Sequence, residues 1–210
     1  MVNKEILNVQ KRNGRGSEPL NIEMVEYACE DITGVSSSQV EMSSGLQFYD
    51  GMTTDEIQKI LIKSASDLIS LDNPNYQYVA ARLLLYSLRK QIFGRLWDHP
   101  HIFEHVTRGV DKGVHERDYD FTYAGLQQVV DKYLVQDRST GELFESPQFM
   151  YMMISATLFA KYPKEKRLTY VKKYYDAISK FKINIPTPVM AGVRTPIKQY
   201  ASCVLVDVDD

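Results

Sequence analysis

The sequence is poor in cysteine, in charge of one sign and in long apolar runs, and each shortage removes a class of function. Only Cys29 and Cys203 occur in 210 residues, too few for a disulfide scaffold, which points to a reduced, cytoplasmic chain. Lys and Arg number 25 against 27 Asp and Glu, so the basic excess that nucleic-acid and membrane-surface binders need is missing. No apolar run reaches the roughly 18 residues that span a bilayer. The opening stretch MVNKEILNVQKRNG lacks the apolar core of a secretory signal. No GxxxxGK[ST] loop occurs, and no Ser-His-Asp or Cys-His arrangement suggests itself. Neither nucleic acid nor membrane is an expected partner. What remains, 44% apolar and 25% charged residues, is the balance of a globular protein with one ordinary domain or two small ones.

Periodicity then sets the elements. Ile6 to Arg12 alternates apolar and polar residues and meets Asn13-Gly14, a strand followed by a tight hairpin turn. Asn21 can cap a helix carrying Ile22, Val25 and Ala28, which Gly34 ends, and Val35-Ser36-Ser37-Ser38 starts another element. Thr53 and Glu56 have the spacing of a capping box, ahead of Ile57, Ile60, Leu61 and Leu68 at helical intervals. Asp72-Asn73-Pro74 breaks the chain before the stripe Tyr78, Ala81, Leu85, Leu88 and Ile92.

Further on, Leu134 to Glu145 reads as a hairpin turning at Ser139-Thr140-Gly141. Ser146-Pro147 starts a helix with a capping hydroxyl and a proline at the first helical position. That helix, Phe149 to Tyr162, is apolar on nearly every side and is expected to be buried or to face a partner. Pro163 opens a basic, Tyr-rich helix to about Phe181. A loop with Pro186 and Pro188 follows, then Tyr200 to Val208, an apolar strand of the sort covered on both faces in a parallel sheet. Such a strand needs neighbours, yet only four residues follow Val206; a missing partner chain is the expectation.

Taken alone, Lys11-Arg12-Asn13-Gly14 is a solvated turn with two cations, or a phosphate grip of point charge and planar fork. Cys203 alone is an inert core thiol or a reactive one. His99, His101 and His105 have ligand-like spacing without any cysteine, and a solvated helix start is the plainer reading, so no metal is expected.

The order of motifs adds a resemblance. KRNG, then Glu18 and Asn21, then DGMTTDEI, then ARLLLYSLRK resembles the ATP-cone, a regulatory nucleotide-binding domain. The blocks NPNYQYVAARLLLYSLRK, KYLVQDRSTGELFESPQFMY, INIPTPVMAGVRTP and YASCVLV resemble the large subunit of bacterial and T-even-like phage class I ribonucleotide reductases, over essentially the whole chain. The resemblance implies a mainly α (α+β) chain: an ATP-cone at 1–95 with a β-hairpin and about four helices, then a helical domain at 96–199 with a small hairpin. Residues 200–210 would be the first strand of an otherwise missing ten-stranded α/β barrel.

It further implies ATP and dATP as allosteric effectors, held by Lys11, Arg12, Glu18, Pro19, Leu20, Asn21, Thr54, Ile57 and Lys90. Two cations would take the phosphates, Thr54 would sit at a helix N-terminus where anions are favoured, and Ile57 would line the base. Cys203 would be the catalytic half of a redox pair that gives two electrons to the ribose and closes to a disulfide. Thr187, Ser202 and Cys203 would bind the substrate, with Thr187 and Ser202 lining its diphosphate site. Departures from the family pattern are a longer loop between Gly14 and Glu18, Met24 for Lys, Gln58 for His, and Ala201 for the first of two serines. Cys29 falls in the cone as a small core residue.

The implied activity is reduction of ribonucleoside diphosphates to deoxyribonucleotides by a split reductase. Implied partners are a C-terminal fragment of the large subunit, the radical-generating small subunit with its di-iron centre, and thioredoxin or glutaredoxin. The chain alone would be inactive, and it would work in the host cytoplasm if phage-encoded. The alternative is a non-catalytic ATP- or dATP-binding regulatory module, or an inactive truncation product.

Overall fold

The computed structural model describes residues 7–11, 14, 16–93, 116–197, 199–201, 203 and 205. They divide into two compact units: 7–90 with 116–127, and 91–93 with the residues from 128 onward. The expected mainly helical character holds in both.

In the first unit, β1 (Asn8–Gln10) pairs antiparallel with β2 (Ser17–Pro19), Val9 opposite Glu18. The connection is longer than a two-residue Asn-Gly turn. The Lys11 N–H donates to Gly16 O at 3.0 Å, so the ladder closes at Lys11 and Gly16, with Gly14 in the left-handed region at φ 67°. Four helices follow, as expected: α1 (Met24–Cys29), α2 (Ser37–Gly45), α3 (Thr54–Asp67) and α4 (Tyr76–Phe93). A 3-10 turn at Glu116–Asp120 and most of α5 (Tyr123–Gln128) complete the unit.

Its core gathers Val9, Val25, Ala28, Val40, Ile57, Leu61, Val79 and Leu83 among others, from β1 and all four helices. Tyr76, 1% exposed, ties α4 to α2: its hydroxyl accepts the Ser36 N–H at 3.0 Å just before α2 begins. Residues 50–53 lie along the free edge of β1. The Gly51 N–H donates to Asn8 O at 2.8 Å, the Gln10 N–H donates to Met52 O at 2.9 Å, and Gln10 bridges Thr53 in parallel. Gly51 makes the bend at φ 81°. This edge pairing sets the start of α3 beside the hairpin. There Thr53 and Glu56 form the expected reciprocal cap, Thr53 N–H to Glu56 Oε2 at 2.9 Å and Glu56 N–H to Thr53 Oγ1 at 3.3 Å.

In the second unit, a π-helical turn (Val129–Tyr133) leads into the small hairpin, which carries one ladder bridge, Gln136 with Leu143. Its turn is organised by Asp137, whose Oδ1 accepts from the Ser139 N–H at 2.8 Å and hydroxyl at 2.6 Å. Helix α6 (Pro147–Leu158) follows, with Pro147 in its first turn; Ser146 stands at the cap, but its hydroxyl makes no capping bond. Met150, Tyr151 and Ile154 are buried, while Phe149, Met152, Met153 and Leu158 on other faces are about half exposed. Helix α7 (Lys164–Ser179) packs on α6, helped by a bond from the Tyr175 hydroxyl to Gln148 Oε1 at 2.8 Å. Phe159 stacks on Tyr170 with ring centroids 5.7 Å apart, and meets Tyr162 and Tyr174 edge-on.

The double-proline segment, expected as a loop, is instead helix α8 (Thr187–Gly192), because Pro188 sits in the first turn where its missing N–H costs nothing. Residues 199–201, 203 and 205 carry no strand pairing, and Leu205 is fully exposed. The rest of the segment expected as a strand lies outside the described residues.

Candidate functional site

The first unit holds a cavity of about 520 Å³ between the hairpin, α1, the start of α3 and one face of α4. Cavities of that size take drug-sized ligands. Seven of the nine residues expected to hold an effector line it: Glu18, Pro19, Leu20, Asn21, Thr54, Ile57 and Lys90. Register explains the convergence. Glu18 and Pro19 arrive on β2, Leu20 and Asn21 on the segment leaving it, and the edge pairing of residues 50–53 delivers Thr54 and Ile57 to the same place. Lys11 is held against Glu18, with Nζ 2.7 Å from Oε2 and both side chains about half exposed. Arg12 lies outside the described residues, as do Ser202, Asp210 and the His99, His101 and His105 cluster.

Asn21 performs two tasks. Its Oδ1 accepts the Glu23 N–H at 2.8 Å, fixing the entry to α1, which begins at Met24 rather than at Asn21 itself. Met24 and Gln58, the two side chains in this domain that depart from the family pattern, both line the cavity. Gln58 is buried, and its side-chain amide donates to Leu83 O at 2.9 Å, joining α3 to α4.

The start of α3 is a poor anion site, since the capping box occupies the N–H groups of Thr53 and Glu56, and Asp55 and Glu56 stand in the first turn. Among the described residues, positive charge on the wall comes from α4, where Arg82, Arg89 and the expected Lys90 stand with Tyr86 among them. Lys90 Nζ stands 4.4 Å from the Tyr86 ring centroid. Arg82 donates from Nη1 to Ala28 O at 3.3 Å and to Glu30 O, closing the end of α1. Its Nε is buried without a hydrogen-bond partner among the described residues, an arrangement that favours a ligand acceptor. Burial holds the Arg89 guanidinium below its ordinary pKa. The residues present therefore suit a nucleotide: cations for phosphates, tyrosines and Ile57 for a base.

Arg82, Tyr86, Arg89, Tyr27 and Tyr119 were not foreseen as lining residues. The spacing 82, 86, 89, 90 does place four of the wall residues on one helical face, and that was the available signal. Tyr119 comes from the 3-10 turn, and no local pattern announces it.

Cys29 is half-buried against this core, and burial pushes its thiol up to about 11, which suits the expected inert role. In the second unit Thr187 is the first residue of α8, exposed, with its hydroxyl 3.1 Å from that of Tyr133. Cys203 is exposed. Among the described residues no group of three or more His, Cys, Asp or Glu side chains is placed to hold a metal ion. None of the described helices is long and apolar enough to cross a membrane.

Two family descriptions match the sequence: an ATP cone domain over residues 7–91, and a ribonucleotide reductase, all-alpha domain, over residues 119–198. Full-length similarity runs to ribonucleoside-diphosphate reductase 1 subunit alpha of Salmonella typhimurium, 45% identical over 100% of this chain and 30% of the relative. The subunit alpha of Haemophilus influenzae is 46% identical, over 100% and 31% respectively. That of Enterobacteria phage T4 is 37% identical, over 98% and 30%. The chain thus spans about 30% of the length of these curated relatives.

Proposed function

We propose that the chain, which matches an ATP cone domain and a ribonucleotide reductase, all-alpha domain and is 45% identical to a ribonucleoside-diphosphate reductase subunit alpha over 30% of that relative, forms the N-terminal part of a ribonucleoside-diphosphate reductase. The cone binds ATP or dATP as an allosteric effector. The second unit brings Thr187 and Ser202 to the substrate diphosphate and Cys203 to the ribose. The remainder of the large subunit supplies the other half of the Cys203 redox pair and the radical cysteine. The small di-iron subunit generates the radical, and thioredoxin or glutaredoxin returns the electrons. Turnover requires this assembly, in the cytoplasm.

The observation that carries the effector part is the convergence on one cavity of seven expected residues, Lys90 among them, and two further α4 cations, Arg82 and Arg89. Phosphates lie against Arg82, Arg89 and Lys90, and the base lies towards Ile57 and the tyrosines. Cys203, with its partner thiol, gives two electrons to the ribose and closes to a disulfide. The test is co-expression with the remaining reductase segment, followed by a CDP reduction assay with the small subunit, for wild type and Cys203→Ser. A stable complex active only with Cys203 supports the catalytic reading. A chain that binds ATP but neither pairs nor turns over CDP is a regulatory module. That second reading has its own support, because the cavity and the core around it lie within one unit.

A further inference from the structure

Thr187 is tied to an interior network of the second unit. Tyr133, 8% exposed, reaches the exposed Thr187 with its hydroxyl at 3.1 Å. The Tyr133 carbonyl accepts from Arg194 Nη2 at 2.6 Å. Arg194 Nε lies 3.0 Å from both carboxylate oxygens of Glu145, and the two side chains are 2% and 9% exposed. Arg194 also donates to Met190 O in the last turn of α8, and Glu145 Oε1 accepts the Val135 N–H at 2.8 Å. One buried ion pair therefore holds the end of α8, the hairpin and the Tyr133 backbone in fixed relation.

The proton count then selects a direction. A phosphate oxygen accepts only, so a hydroxyl that binds it must give its single proton to it. Thr187 can do so while keeping its bond to Tyr133 only if the phenol is the donor. The buried ring leaves Tyr133 few orientations, and the exposed side of Thr187 stays open.

We infer that Tyr133 is a positioning residue for ribonucleoside-diphosphate binding: it donates to Thr187 Oγ1 and so directs the threonine proton at the diphosphate, with Arg194 and Glu145 holding the tyrosine in place. This rests on the reading of Thr187 as a diphosphate contact. No covalent step is involved.

The experiment uses the assembled reductase, this chain with the remaining large-subunit segment and the small subunit, and measures KM and kcat for CDP. Tyr133→Phe keeps the ring in the core and is expected to raise KM about three- to tenfold with kcat retained, the mark of a uniform binding contact. Thr187→Val raises KM similarly, and adding Tyr133→Phe to it costs nothing more. In a Thr187→Ser background, which keeps a hydroxyl, the Tyr133 effect returns. An unchanged KM in Thr187→Val removes the diphosphate reading and the positioning role together. A raised KM in Thr187→Val with none in Tyr133→Phe overturns the positioning role alone. A lowered Tm in Tyr133→Phe with KM unchanged assigns the tyrosine to stability and likewise overturns it.

Discussion

The guanidinium of Arg82 lies over the ring of Tyr119, 4.6 Å from its centroid, and both residues line the cavity of the first unit. The pairing joins α4 to a turn that follows it by more than twenty residues. It also sets an aromatic face beside the cations that would receive the phosphates.

Tyr119→Ala is expected to weaken ATP binding by the isolated chain two- to fivefold, since an exposed cation–π pair is worth about 0.5–1 kcal/mol. Because Tyr119 is 42% exposed, the unit should fold as before. Isothermal titration alongside a thermal melt checks this; unchanged affinity would remove Tyr119 from the site.

The cap of α3 should make part of the stability pH-dependent. Hydrogen bonds from the Thr53 hydroxyl and backbone N–H hold the Glu56 carboxyl below its ordinary pKa. Its contribution is present above the unfolded value and is lost as pH falls through the lowered folded one. Thr53→Ala should cost about 1 kcal/mol at neutral pH, as N-cap replacements do. That difference should shrink on acidification below the ordinary carboxylate range. Urea unfolding of both proteins at several pH values provides the comparison, and a gap that widens in acid would contradict it.

Removing one partner of the buried Arg194–Glu145 pair leaves a desolvated charge behind. Arg194→Met is expected to destabilise the second unit by about 3–5 kcal/mol. Replacing both residues with apolar ones of similar volume should recover much of that loss. Amide hydrogen exchange at Val135, whose N–H binds the Glu145 carboxylate, reports the unit concerned. Equal losses in the single and double variants would argue against the pair as the cause.

The two cysteines should differ sharply towards alkylating agents. With its thiol pushed up to about 11, Cys29 at pH 8 has only about one thiolate in a thousand molecules. Cys203 is exposed. Iodoacetamide at pH 8 should therefore label Cys203 well before Cys29, as read by peptide mass mapping, and faster labelling of Cys29 would contradict the burial seen here.

What was legible in the sequence was what four or five adjacent residues determine. The Thr53–Glu56 cap is the clearest case, because both partners sit within one helical turn. Helix α4 was harder. Of the stripe, Ala81, Leu85 and Leu88 are buried, yet Tyr76, Val79, Ala80 and Leu83 are buried as well. A helix covered on several sides carries no single period. The prolines around Thr187 suggested a loop, but a proline in the first turn starts a helix as readily as it prevents one. Tyr133 and Thr187 stand 54 residues apart, and no pattern in one chain announces such a meeting. Resemblance to a family leads to the cavity and to Lys90, whereas the places of Arg82 and Arg89 on its wall show only in the packed helix.

The composition of that cavity wall also has a consequence for synthesis. Lys90 completes the helical face, but Tyr119 follows 29 residues later. At roughly 5–20 residues per second, a ribosome takes about 1.5–6 seconds to cover that distance. The residues of the buried core cluster are thus all translated before the last side of the cavity. An effector that binds there would reach its full affinity on the ribosome only after that interval.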